Sequence, residues 1–211
     1  MDKDLTVFNQ LVDGKIEAVT SRGNVIRIKL YNKTSLILGP EYGREILYHN
    51  DTKNGPKFHL RIDFSDGTVL TVRLISMGVI QVLNDNELER SYVYKRDFDS
   101  TKPLPTDEEF TFEHFSNLMS NYNKMLKTVL VGKDAILVCI SNSTFQDIVY
   151  QARLHPKRKA SELNTEEKQS LHDAIRFVLK ERIKLEGKDQ FRDLYGKQGD
   201  YLPAMGPNMK G

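Results

Sequence analysis

Short runs in which apolar and polar positions alternate with a period of two recur between residues 14 and 100, and their β-branched content predicts strands. Residues 15–19 (KIEAV), 25–30 (VIRIKL) and 35–38 (SLIL) are three such runs. The clearest pair is residues 58–64 and 68–74, separated by Ser65-Asp66-Gly67. Asp-Gly supplies the positive φ that a tight hairpin turn needs, so these two runs predict an antiparallel hairpin. Residues 78–83 add one more strand. The first half of the chain therefore reads as an antiparallel β layer or sandwich.

The period changes after Lys102-Pro103-Leu104-Pro105-Thr106, where two prolines interrupt the pattern. A domain boundary is placed there, giving an N-terminal β domain over 1–102 and a helical domain over 103–211. Helices are expected over 112–119 and 123–131. A third should start at Ser143, capped by that serine with Gln146 three residues on, bury Phe145, Ile148, Val149 and Ala152, and stop at Pro156. A fourth should start at Asn164 with Glu167 completing a capping pair and run to Gly187. Its apolar stripe is Leu171, Ala174, Ile175, Val178, Leu179 and Ile183. The fold class is thus α+β.

Composition narrows the chemistry. The chain has 211 residues and is 39 % hydrophobic, enough for an ordinary core. It has no apolar run near the roughly 20 residues that span a bilayer, and Met1-Asp2-Lys3-Asp4-Leu5 lacks the order of a signal peptide. A cytoplasmic monomer without membrane contact is expected. A single cysteine, Cys139, cannot form an internal disulfide or a multi-thiolate zinc site, and the five histidines show no HxH or HExxH spacing. Neither a metal nor a cofactor is expected. The formal charge is only +2, so distribution matters more than total. Asp63 and Asp66 lie at a turn, and Glu166 and Glu167 open a helix, positions where acids serve the backbone.

One stretch concentrates charge. Gln151-Ala152-Arg153-Leu154-His155-Pro156-Lys157-Arg158-Lys159-Ala160 carries four fixed cations and no acid, between the third and fourth helices. A helix, a basic link and a second helix can present cations and backbone amides to a phosphate backbone. The run CISNSTFQDIVYQARLHPKRKASELNTEEKQSLHDAI, residues 139–175, resembles the helix-two-turns-helix module of the formamidopyrimidine-DNA glycosylase/endonuclease VIII family. That module has a turn ending in Asn, a helix, an R-x-x-HP-x-R link and a capped second helix, matched here by Asn142, by Arg153 to Arg158, and by Asn164 to Glu167. A later block resembling GG-x-D-x-x-x-DL-Y/F-G-x-x-G-x-Y is present as EGKDQFRDLYGKQGDY, residues 186–201. The resemblance is strongest from about Lys127 to Tyr201 and extends more loosely over the β half.

The resemblance implies a base-excision-repair protein that binds damaged or abasic double-stranded DNA. DNA-binding residues implied by it are Lys127, Asn142, Arg153, His155, Lys157, Arg158, Met77, Tyr195 and Tyr201. Family members attack the damaged sugar with the amine of an N-terminal proline, form a Schiff base and cleave the strand, with a neighbouring glutamate moving protons. In this sequence Met1-Asp2-Lys3-Asp4 stands where the Pro-Glu pair would be, and the family's opening helix and first strands have no counterpart before Asn9-Gln10-Leu11-Val12, so the β-sandwich is expected to be incomplete. Asn24 stands near the family's β-turn lysine, and Ile75-Ser76-Met77 stands for its void-filling Arg and Phe. The chain ends at Gly211, where a zinc hairpin would begin. The catalytic residues are unassigned, with Lys127 the candidate substitute amine. Three readings result: a DNA-binding relative, an active glycosylase/lyase using another amine, and a non-catalytic scaffold.

Overall fold

A computed structural model describes residues 5–40, 44–50, 55–75, 77–98, 101–102, 104–131 and 135–205. These divide into two compact units. One comprises the described residues up to Phe98 together with residues 192–197, and the other those from 101 to Phe191 and from Gln198 to 205.

The first unit contains seven strands: β1 (Ile16–Arg22), β2 (Val25–Leu30), β3 (Thr34–Gly39), β4 (Arg44–Asn50), β5 (Leu60–Asp63), β6 (Thr68–Leu74) and β7 (Val79–Asn84). They form two antiparallel sheets, in the orders β1-β2-β3-β7 and β4-β6-β5. Leu36, Leu38, Ile80 and Val82 of the first sheet share a core with Val72 of the second, as a sandwich requires. The Asp66-Gly67 hairpin forms between β5 and β6. Gly67 takes φ +84°, and the Asp66 carboxylate accepts from both the amide and the hydroxyl of Thr68. Those bonds, the Thr68 hydroxyl first, hold the Asp66 carboxyl below the ordinary aspartate value.

Burial fades toward one edge. The cross-strand row Val19, Ile28, Leu36, Val82 lies on the core face, with Leu36 and Val82 buried, Ile28 half-buried and Val19 61 % exposed. Alternation sets which face a side chain takes. Cover depends on the second sheet, which among the described residues has three strands to the first sheet's four.

Two elements depart from expectation. β4 was not foreseen, because REILYHN has no clean alternation, and all of its residues except Asn50 are half-buried. Residues 85–98 were expected to continue the strands but form a 3-10 turn (Asp85–Arg90) and a helix, α1 (Tyr92–Phe98). The Glu87 carboxylate accepts from the Asn84 amide at 3.1 Å, a helix-start arrangement that ends β7. Leu88, Val93, Tyr94 and Phe98 then cover Val25 and Ile37 on the opposite side of the first sheet. β3 is consequently buried along its whole length. Buried Asp97 of α1 accepts from the backbone amide of Asn24, so the β1–β2 turn is tied to α1 at the position where the family resemblance would put a lysine.

The second unit is helical: α2 (Phe112–Ser120), α3 (Leu126–Val131), α4 (Asn142–Gln151) and α5 (Thr165–Lys184). Its core joins Phe110, Phe115 and Met119 to Leu126, Leu130, Phe145, Ile148, Leu171, Ile175 and Val178. α3 starts at Leu126 rather than 123 because Lys124 and Leu126 give backbone bonds to another segment. The Lys124 carbonyl accepts from Ala160 and the Leu126 amide donates to Arg158, each at 2.9 Å. The cap of α4 lies two residues before the expected one. Ser141, not Ser143, accepts from the Thr144 amide. α5 has the predicted box, in which the Asn164 side chain accepts from the Glu167 amide at 2.8 Å and the Glu167 carboxylate accepts from the Asn164 amide at 3.0 Å. Ile183, expected in its stripe, is 66 % exposed. Helical spacing from Val178 and Leu179 leads to Arg182, which takes the inward place instead.

After α5 the chain turns back on itself. The Asp189 amide donates to the Tyr201 carbonyl, and the Tyr201 amide to that of Gly187. Gly199 passes so close that a β-carbon there would sit 2.2 Å from the Gly187 oxygen, which excludes any side chain. Among the described residues no helix is long and apolar enough to cross a membrane, and no group of three or more His, Cys, Asp or Glu could hold a metal ion.

Candidate nucleic-acid interface

The basic link is built by the way α4 ends. The Arg153 amide donates to the Tyr150 carbonyl and the Leu154 amide to that of Val149, a Schellman closure. Arg153 occupies the left-handed position of that motif, with φ +55°. Glycine is the usual occupant, and an L-residue there costs roughly 1–2 kcal/mol. Leu154 folds back onto the helical core, so Arg153 is turned outward. His155 and Pro156 then open a turn closed by the Arg158 amide on the His155 carbonyl at 3.0 Å, and the Lys157 amide donates to His155 Nδ1 at 3.3 Å. His155 and Lys157 are both exposed.

The end of the link is fixed to α3. Residues 124–126 pair with residues 158–160 through the two backbone bonds named above and an antiparallel bridge between Met125 and Lys159. This pairing brings Lys127, in the first turn of α3, to the neighbourhood of Arg158 although the sequence separates them by three decades of residues. Asn142 is exposed on the first turn of α4.

The cations of this region fall into two groups. Lys127, Arg153 and Lys157 are exposed, and their side chains have no hydrogen-bond or ion-pair partner among the described residues. Arg158 differs. Its two terminal nitrogens grip the Glu167 carboxylate at 2.9 and 3.0 Å, and one of them also donates to the Glu162 carbonyl at 3.1 Å. The Asn164 amide, opposed by partial burial and helped by Arg158, holds the Glu167 carboxyl below the ordinary glutamate value.

The comparisons with known proteins concern this region most directly. Residues 102–192 match the family model described as the formamidopyrimidine-DNA glycosylase H2TH domain. The chain is 24 % identical to the formamidopyrimidine-DNA glycosylase of Bacillus cereus, over 93 % of this chain and 76 % of that protein. It is equally similar to that of Streptococcus agalactiae, over 96 % and 79 %. Residues 102–192 are an H2TH domain, and most of the chain is similar to formamidopyrimidine-DNA glycosylases. Its fold agrees with solved structures of that family. A Lactococcus lactis glycosylase bound to DNA containing an AP site superposes with a TM-score of 0.71 at 21 % identity, over 86 % of this chain and 69 % of the other. The Thermus thermophilus protein gives 0.72 at 21 %, over 89 % and 68 %.

The remaining family-implied residues fall partly in each unit. Met77 is 73 % exposed in the connection between β6 and β7, in the first unit. Tyr195 is 75 % exposed and also belongs to that unit. Its ring meets Tyr48 of β4 edge-on, and the Tyr48 amide donates to the Leu194 carbonyl. Tyr195 is therefore tied to the sheet of its own unit. Tyr201 anchors its segment onto the helices, and this removes it from the DNA-binding set. Only 8 % exposed, it donates to Asp147 at 3.2 Å while the Arg182 guanidinium lies over its ring. Burial and then the Asp147 charge raise its phenol above the ordinary tyrosine value. The readings that involve Ser76 and residues 1–4 and 206–211 fall outside the described residues.

Sequence reasoning missed the support for the link and tail. Asp147 is buried and accepts from Arg182 at 2.8 Å, from Tyr201, and from the Met205 amide. The capping pattern around Asn164 identified Glu167 as a helix-start residue. It carried no sign of Arg158, because that contact joins residues nine apart, from the link to the first turn of α5.

Proposed function

We propose that this protein is a monomeric, duplex-DNA-binding member of the base-excision-repair glycosylases that engages damaged or abasic sites. Its helical unit would hold the phosphate backbone through Lys127, Arg153, Lys157 and Asn142, with His155 shaping the turn. The observation that carries the proposal is the contrast within the link. Three cations remain exposed and unpartnered among the described residues, while the backbone between them is braced at both ends. Keeping an arginine at the left-handed position of the α4 closure, where glycine would be less strained, also indicates a side chain retained for something outside the fold. Relatives solved with AP-site and formamidopyrimidine-containing DNA support the same substrate class. A cytoplasmic location belongs to the same proposal.

The direct test is equilibrium binding to a duplex carrying one abasic-site analogue, with intact duplex and heparin as competitors. Abasic duplex should be bound in preference to both. Binding that heparin displaces as well as DNA does would reduce the link to a non-specific polyanion contact, the scaffold reading.

Lys127 bears on whether chemistry accompanies binding. Its amine is exposed beside the link and unpaired among the described residues, but an amine in that place also suits a phosphate oxygen, and we assign it to phosphate. Borohydride reduction in the presence of an abasic duplex should give no adduct that depends on Lys127. A covalent complex lost on Lys127→Ala would instead establish a Schiff-base lyase using that side chain.

A further inference from the structure

We infer that Arg158 does not contact DNA but acts with Glu167 as a positioning pair, setting the link so that Arg153 and Lys157 meet the phosphates. The inference rests on the DNA-binding reading above and assigns roles within the same site.

Four constraints converge on Arg158. Its amide closes the His155 turn, its carbonyl holds the start of α3, and its guanidinium takes both oxygens of Glu167 and the Glu162 carbonyl. Three of its five N–H groups are thereby engaged, and its charge is neutralised at 2.9 Å by a carboxylate. A phosphate approaching Arg158 would meet a pair with no net charge. Lys157, next to it, offers an ammonium that no side chain among the described residues pairs with.

The same Glu167 oxygen that accepts from Arg158 also accepts from the Asn164 amide, which is the N-cap of α5. One carboxylate thus joins the first turn of α5 to the residue that ends the link, while residues 124–126 fix that residue to α3. A planar fork matched to a carboxylate holds direction as well as distance, which a lysine ammonium would not. The pair makes the thirteen residues between α4 and α5 a defined loop rather than a tether. Arg153 is set by the α4 closure at one end, and Lys157 by the clamp at the other.

The two possible roles of Arg158 predict opposite responses to Glu167→Gln. A glutamine keeps the size of the side chain and an acceptor for the Asn164 amide, but releases the arginine charge. If Arg158 touched phosphate, freeing it would tighten duplex binding and steepen its dependence on salt, by about 0.9 in the log–log slope for one more phosphate neutralised. Positioning predicts binding several-fold weaker with the slope unchanged. Arg158→Lys is the second variant, retaining charge while losing the fork. Positioning predicts the same weakening at constant slope, and a phosphate contact predicts little change in either. Both are measured by fluorescence anisotropy on abasic duplex across a salt series, with circular dichroism showing the helical content retained at the assay temperature. Lys157→Gln is the reference, expected to lower the slope by about 0.9.

Tighter binding by Glu167→Gln, or unchanged binding by both variants, overturns the inference. Absence of duplex binding by the unaltered protein would instead remove the reading on which it rests.

Discussion

Arg153→Gly separates what the fold wants at the end of α4 from what the proposed function wants. The arginine sits at φ +55°, a conformation that costs an L-residue about 1–2 kcal/mol and glycine almost nothing. Glycine is more disordered in the unfolded chain, which takes back about 0.4–1 kcal/mol. The Arg153 side chain is exposed and has no hydrogen-bond or ion-pair partner among the described residues, so nothing further is subtracted. The net expectation is a helical unit more stable by about 0.5–1 kcal/mol, a rise in midpoint temperature of a few degrees at this chain length. Binding should move the other way, weakening on abasic duplex with a salt slope shallower by about 0.9. Thermal unfolding followed by the helical signal, together with anisotropy titrations, reads both. Arg153→Ala serves as the companion, with the same binding defect but no gain in stability, since alanine keeps the strain. A destabilised Arg153→Gly would show that the arginine supports the fold, and a stable variant with undiminished binding would remove Arg153 from the interface.

Other expectations concern the supports. Tyr201→Phe removes the hydroxyl donated to buried Asp147 while leaving the ring under Arg182, and should cost about 1 kcal/mol of unfolding free energy without altering the salt slope of binding. A changed slope there would return Tyr201 to the interface. Glu167 has a lowered folded-state pKa, so its contribution is complete above its unfolded-state pKa and is lost as pH falls through the folded value. Stability should therefore be unaffected by this group near neutrality and decline below the ordinary glutamate range. Glu167→Gln should flatten that part of an acid-unfolding profile, and an identical profile in the variant would contradict the assignment.

Features governed by near neighbours in sequence were readable before the structure. The Asn164–Glu167 box and the Asp66-Gly67 turn each close within four residues, and both formed as expected. Ambiguity entered where two local solutions compete. Ser141 and Ser143 can each cap a helix, and the choice fell on Ser141, whose hydroxyl lies 2.9 Å from that of Thr144. Features requiring a distant partner were not readable. The 85–98 segment became helical under the packing of Leu88 and Phe98 on Val25 and Ile37, and Tyr201 was buried by Asp147, 54 residues away. The basic link lies between these cases. Its charge was visible in the sequence, but the division into free cations and a clamped arginine depends on where Glu167 comes to rest.

The central claim is that unpartnered cations around one braced link hold the phosphates of a DNA duplex. The measurement that tests it most directly is the salt dependence of binding to an abasic-site duplex, for the unaltered chain and for a variant with Lys127, Arg153 and Lys157 all changed to glutamine. Three phosphate contacts at about 0.9 each should make the slope shallower by about 2.7. A variant that keeps its helical content but binds with the slope and affinity of the original would place the DNA elsewhere on the protein.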